Sequence, residues 1–333
     1  MAGGQERILK RRIKSVQSTK KITKAMELIS ASRIGKAQQR VAAARPYSEQ
    51  ITAVIGNLAA GGAGTSSPLL QAREDVKKVA YVVITGDRGL AGAYNTNVIR
   101  TAERAVRASK DAGVDAALVI IGRKAQNYFS FRGQALDAVF TGMTDQPRYE
   151  QARQVAEFVV ERFSSGEYDR VELIYTQFLS VGTQRVVARR FLPLDADSLD
   201  AAAERGPSAD YEFEPNPGQI LDRLLPRYAE ARLFAALLDA AASEHAARQR
   251  AMKSATDNAE ELITKLTRIM NRARQDAITT EIMEIVSGAE ALKGGGGEEA
   301  DYLLDTIGSG DYFQVADGRR QAGTGITTER STA

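Results

Sequence analysis

The sequence predicts an α/β fold: a long antiparallel coiled coil of N- and C-terminal helices plus a small Rossmann-like open-sheet domain. After Pro226, the stretch up to Leu292 holds no proline and one glycine, Gly288, and it is dominated by strong helix formers. From Gln5 to Leu58 the only proline is Pro46. Between these stretches, short apolar runs such as Val79–Thr85 alternate with helical patterns, as buried parallel strands and their crossover helices do.

Composition narrows the function classes. A chain of 333 residues is long enough for one large domain or two ordinary ones with a sizeable core. It has no cysteine, which excludes disulfides, thiolate metal sites and cysteine nucleophiles. Its one histidine, His245, makes histidine metal centres and catalytic triads implausible. In its setting, Ser243-Glu244-His245-Ala246, that histidine is expected to be satisfied or solvated. The net charge of +3 says little about partners. No run of ~18 apolar residues is present, so no membrane span is expected. No apolar signal core follows Met1, so the chain is expected to stay in the compartment where it is made.

Residues 1–58 read as the N-terminal coiled-coil helix, with Ile8, Ile13, Val16, Ile22, Met26, Ile29 and Ile34 as its apolar stripe. Residues 1–40 carry eleven basic side chains against Glu6 and Glu27, a local charge of +9. A basic helix fits a nucleic-acid or membrane surface, a solvated face, or a partner helix inside an acidic or polar sleeve. No aromatic residue is interleaved with the charges before Tyr47, and the apolar face lacks Trp and Phe anchors, which weakens the first two readings.

Residues 59–217 read as the Rossmann-like domain, entered through the flexible break Gly61–Pro68. Strands are expected at 79–85, 116–121, 139–140, 170–176 and 184–191, and helices at 95–112, 123–131 and 148–164. The first strand runs into Gly86-Asp87-Arg88-Gly89-Leu90-Ala91-Gly92, a glycine-rich turn of the kind that cradles phosphates. Its spacing is neither G-x-G-x-x-G nor a P-loop, and Gly122-Arg123-Lys124 stands where a ribose-binding acid would be. Nucleotide binding is therefore a minor reading. Seven acidic residues between Pro193 and Pro217 mark an exposed connection.

Residues 218–292 read as the C-terminal coiled-coil helix, on the order of 100 Å long at ~1.5 Å per residue. Leu262, Leu266, Ile269, Ala273, Ile282, Ile285 and Ala289 form its stripe. Two long helices with stripes too narrow to stand alone in water are expected to bury them on each other. Residues 293–333, opening with Lys293-Gly294-Gly295-Gly296-Gly297, read as a disordered tail.

Three pieces of this text resemble one family. They are Ile278-Thr279-Thr280-Glu281 with Glu284-Ile285-Val286-Ser287-Gly288-Ala289-Glu290, Ile22-Thr23-Lys24-Ala25-Met26 on the basic helix, and the turn from Thr85 to Ile99. All three are similar to the gamma subunits of rotary (F-type) ATP synthases of bacterial type, over residues 5–292. The resemblance implies a central rotor shaft without a catalytic site or cofactor of its own. That shaft couples rotation of the membrane c-ring to conformational cycling of the catalytic beta subunits of a proton-translocating complex. It implies alpha, beta, epsilon and c-ring partners, one copy per complex, and a peripheral place on the cytoplasmic face of the bacterial cell membrane. It maps beta-subunit contacts onto Met26, Arg248, Arg274, Gln275, Thr279, Glu281 and Glu284. The family's glycine-rich turn is structural, and its cysteine-based regulation is excluded here. The rival classes are a coiled-coil scaffold or nucleic-acid-binding rod, and a nucleotide-dependent enzyme built on the α/β domain.

Overall fold

The computed structural model describes residues 2–58, 67–194 and 216–294. The break at Gly61–Pro68, the acidic connection and the tail therefore lie largely outside the described residues. The elements run α1 (Ala2–Leu58), β1 (Lys78–Ile84), α2 (Tyr94–Asp111), β2 (Asp115–Ile121), α3 (Arg123–Phe131), β3 (Ala138–Phe140), α4 (Tyr149–Ser164), β4 (Arg170–Phe178), β5 (Gln184–Leu192) and α5 (Pro217–Gly294). They fall into two compact units: Lys14–Thr264, and the two chain ends up to Ile13 and from Lys265.

The larger unit is built on a five-stranded sheet of order β3-β2-β1-β4-β5. The first four strands are parallel, and β5 returns antiparallel to β4. β1 is central, and Val79 to Ile84 are all buried, which is why that run does not alternate in polarity. Alternate side chains serve the two faces. Ala80, Val82, Ile84, Val119 and Ile121 pack toward α4 and the inner parts of α1 and α5. Val79, Tyr81, Val83, Leu118 and Ile120 pack toward α2 and α3.

α1 continues through Pro46. An interior proline costs ~3 kcal/mol. Just beyond it, Ile51, Ile55 and Leu58 are buried in the sheet-side core. At ~1.5–3 kcal/mol for each buried aliphatic side chain, that docking outweighs the proline.

Within the larger unit α1 and α5 run antiparallel. Lys20 Nζ meets Glu260 Oε1 at 3.1 Å, and the hydroxyls of Thr23 and Thr256 bond at 2.8 Å. The seam differs from the expected stripes. On α1 the covered positions are Val16, Lys20, Thr23, Glu27, Ser30, Ile34, Ala37 and Val41, spaced alternately by three and four. Ile22 and Ile29 are instead exposed, at 61 % and 54 %. On α5, Met252, Thr256, Ala259 and Ile263 follow the same alternation, and Leu262 points outward. A 3-4 alternation is the left-handed coiled-coil register, and it places polar Thr23 and Ser30 inward where an apolar count alone would choose their isoleucine neighbours.

In the unit formed by the chain ends, Ile13 and Leu266 are the buried side chains among the described residues. Met270, Ala273 and Ala277 are half-buried, and from Ile278 to Lys293 every side chain is exposed. Ile269, Ile282 and Ile285, assigned to the buried stripe, are exposed at 43 %, 55 % and 72 %. No second helix of this chain covers them among the described residues.

Asp239 on α5 provides a test of core electrostatics. Burial raises its pKa to about 6, with Arg189 and the Phe178 backbone N–H opposing the shift. A carboxyl whose folded pKa lies above its unfolded value adds stability below about pH 4 that is lost as pH rises through about 6. Asp239→Asn is therefore expected to stabilise the full chain by about 1–3 kcal/mol at pH 8 and not at pH 4. Urea unfolding at both pH values checks this, and an equal effect at the two would contradict it.

Candidate functional site

The expected contact residues fall in two places. Met26 and Arg248 lie in the larger unit, beside the glycine-rich turn that follows β1. The turn is held by its own side chains. Asn95 Oδ1 accepts from the Gly86 N–H at 2.8 Å. The Asp87 carboxylate accepts from the Gly142 N–H at 2.9 Å, the Thr144 hydroxyl at 3.0 Å and the Arg123 N–H, the start of α3, at 3.2 Å. The turn thus carries its own carboxylate, which takes the N–H at the start of α3, and the Gly86 and Asp87 N–H groups are engaged by Asn95 and Thr144. This disfavours the nucleotide-enzyme reading.

α5 locks onto the same turn. Glu244 is 2 % exposed and accepts from Arg248 Nη2 one helical turn on. Arg248 Nε also donates to the Gly89 carbonyl at 3.3 Å. A Cβ at Gly86 would stand 2.7 Å from Glu244 Oε1, so glycine there is what admits the carboxylate. Burial raises the Glu244 pKa, with Arg248 opposing, and its second oxygen has no partner. His245 is also buried. Its Nε2 lies 3.2 Å from the Asp145 carbonyl, and its Nδ1 has no partner. Burial lowers its pKa, so it is neutral near pH 7 and Nε2 carries the proton. Arg33 of α1 donates to Asp145 at 2.6 Å. Four segments thus meet in one polar knot: α1, the β1–α2 turn, the loop before α4, and α5.

Beside the knot opens a cleft of about 300 Å³, lined by Met26, Ile29, Arg33, Arg88, Leu90 and Arg248 among others. The fold therefore brings Met26 and Arg248 together. It places them differently, however: Met26 is half-buried at the rim, whereas Arg248 is 6 % exposed and engaged within the chain. Arg33, Arg88 and Leu90 were missed by sequence reasoning. The Glu244–Arg248 pair carried a legible signal, opposite charges at i and i+4 on one helix.

Arg274, Gln275, Thr279, Glu281 and Glu284 lie on α5 in the unit of the chain ends, all exposed. Thr279 donates to the Gln275 carbonyl at 3.0 Å. At ~100° per residue the five positions spread over roughly 220° of the helix circumference. Exposed Ile278, Ile282 and Ile285 stand among them. This end of α5 therefore offers partners a mixed polar and apolar surface on several sides.

Comparison with known proteins follows the same span. The family model described as ATP synthase matches residues 5–292. The ATP synthase gamma chain of Parafrankia sp. (strain EAN1pec) is 52% identical, covering 88% of this chain and 99% of that relative. The ATP synthase gamma chain of Mycolicibacterium smegmatis is 47% identical over 86% of this chain and 98% of its own length. Among solved structures, a chain of the Euglena gracilis mitochondrial ATP synthase (OSCP/F1/c-ring, rotational state 3) aligns with a TM-score of 0.62 at 18% identity, covering 89% of this chain and 98% of that one. A chain of the Tetrahymena thermophila mitochondrial ATP synthase central stalk and c-ring aligns with a TM-score of 0.55 at 24% identity, over 70% of this chain and 99% of that one. At these identities the structural likeness speaks for the fold.

Proposed function

Because the chain belongs to the ATP synthase family and matches its gamma chains over nearly their full length, we propose that it is the central rotor shaft of a proton-translocating ATP synthase. In this reading it turns with the membrane c-ring, assembles with alpha, beta and epsilon subunits in one copy per complex, and performs no chemistry itself. Its place is peripheral, at the cytoplasmic face of the bacterial cell membrane. No described helix is long and apolar enough to cross a membrane.

The observation that carries the reading is the bare end of α5. Large apolar side chains exposed singly are ordinary, but Ile278, Ile282, Met283, Ile285 and Val286 lie within nine residues, all at least 48 % exposed. Such a surface fits a sleeve that covers it. The sleeve contacts must also break as the shaft turns. Arg274, Gln275, Thr279, Glu281 and Glu284 suit that need, since exposed ion pairs contribute only ~0–1 kcal/mol each. Coupling then consists of differences in contact free energy between beta-subunit states. Met26 serves a second contact, in which a beta-subunit acidic loop enters the cleft beside Arg33 and Arg88. Arg248 supports that cleft from within.

The test uses membrane vesicles bearing the complex assembled with this chain. Met26→Lys adds a cation to a cleft already lined by three arginines, which strengthens its hold on a carboxylate and hinders release. ATP-driven proton pumping is expected to fall while ATP hydrolysis continues. Unchanged pumping would remove the cleft from coupling. A tagged chain that purifies without alpha and beta partners would overturn the shaft reading itself.

A further inference from the structure

On the α2 side of the sheet lies a groove of about 700 Å³, and a second of about 390 Å³ shares Asn97 and Val186 with it. The first lies between α2 and β5, and the second continues it inward, where Ser243, Ala247, Arg250 and Ala251 of α5 also line it. Arg100, Arg104 and Arg107 line the outer part of this channel, each one helical turn from the next. Among the described residues none of the three has a carboxylate within ion-pair distance. The nearby carboxylate, Glu103, accepts from the Tyr128 hydroxyl at 2.8 Å and lies 3.7 Å from Arg132. β5 is an edge strand: it pairs with β4 alone among the described residues, and Arg185, Arg189 and Arg190 along it are exposed, while at its far end the Arg190 carbonyl accepts from Arg232 of α5 at 3.2 Å. At the inner end stands Thr176, 5 % exposed, whose hydroxyl is buried without a hydrogen-bond partner.

These features favour one kind of occupant. An uncompensated row of guanidinium groups attracts carboxylates, which arginine binds in bidentate fashion. Successive arginines on one helix face stand ~5–6 Å apart, close to the ~6.6–6.8 Å between alternate side chains of an extended chain. The stretch of the β5 edge that precedes Arg190 can accept an extended segment through its backbone. The arginine stretch has no aromatic side chain on which a base would stack, which disfavours a nucleotide. A flat lipid surface would not reach the buried Thr176 hydroxyl.

We propose that the channel between α2 and β5 is a docking site for an acidic, extended segment of another protein chain. Alternate carboxylates of that segment pair with Arg100, Arg104 and Arg107, and its inner end satisfies Thr176. The site shares no lining residue with the cleft beside Met26.

Fluorescence anisotropy with the full-length chain tests this, using a labelled peptide of alternating Glu and Val as the probe and its Gln-for-Glu counterpart as control. The acidic peptide is expected to bind about tenfold or more tightly than the control and to weaken steeply as salt rises. That preference is expected to vanish in Arg100→Glu/Arg104→Glu/Arg107→Glu. Should the triple variant fail to fold, Arg104→Gln is expected to weaken acidic-peptide binding in a folded chain. A photoreactive side chain at Thr101 in the membrane-purified complex supplies an independent readout, with a cross-link to an acidic segment of another subunit expected. Equal binding of both peptides would overturn the proposal. So would arginine-dependent binding of ATP or phosphatidylglycerol vesicles without peptide binding, or a cross-link to the chain's own residues 195–214.

Discussion

Glu244→Ala is expected to destabilise the full chain by about 3–5 kcal/mol, the cost of leaving a buried charge without its partner. The partner is Arg248, 6 % exposed, whose other hydrogen-bond partner among the described residues is the Gly89 carbonyl. A guanidinium in that position cannot turn to water without parting α5 from the glycine turn. The wild-type pair is itself a compromise, because one Glu244 oxygen is already buried without a partner. Glu244→Ala/Arg248→Met, which removes both charges and keeps apolar volume, is therefore expected to recover most of the loss. Denaturant unfolding of the two variants and of Arg248→Met forms a double-mutant cycle. Additive losses would mean that the two side chains act independently and would refute the pairing as the source of the effect.

Gly122→Ala is expected to abolish folding, or to cost more than about 4 kcal/mol. Two effects combine. Gly122 has φ +99, where an L side chain is strained, and a Cβ there would stand 2.1 Å from the Thr85 carbonyl oxygen. That carbonyl is backbone at the end of β1, so neither atom can swing aside. Gly133 supplies the control: its φ is +67, but nothing lies within 4 Å of its Cβ. Gly133→Ala should cost only about 1–2 kcal/mol, the backbone term alone. Soluble yield and the thermal midpoint measure both. Comparable losses at the two glycines would show that contact with Thr85 contributes nothing.

The sequence was a good guide wherever local chemistry decides structure. β1 was legible because a strand buried on both faces reads as one apolar run, and Arg123–Phe131 matched its helix to the residue. The long helices were legible from the near-absence of breakers. Pairing between distant segments was not. Seam positions Thr23 and Ser30 look like surface residues in the sequence, and only the 3-4 register of two paired helices turns them inward. Ile22 and Ile29, read as core, are the outward neighbours of those two residues. The cleft was half legible: Met26 came from its motif, but Arg33 and Arg88 reach it through chain folding that no spacing encodes. The burial of Arg248, mapped from resemblance as a partner contact, was not legible, because it depends on Glu244 fitting against Gly86 and on the Gly89 carbonyl, about 160 residues earlier in the chain.

The polar seam also has a mechanical meaning. From Lys20 to Ser30, four successive inward positions on α1 are Lys, Thr, Glu and Ser. An aliphatic side chain at each would add ~1.5–3 kcal/mol of adhesion, so this stretch forgoes roughly 6–12 kcal/mol. The polar contacts there are the Thr23–Thr256 hydroxyl bond and the Lys20–Glu260 ion pair, beside buried Met252 and Ala259 of α5. Both interactions tolerate small changes of angle and re-form readily, unlike interlocked isoleucines. Under torsional load, these contacts are expected to slip and re-form at lower cost than an apolar seam of the same length would. A short length of low stiffness is thus written into the shaft as four ordinary polar side chains.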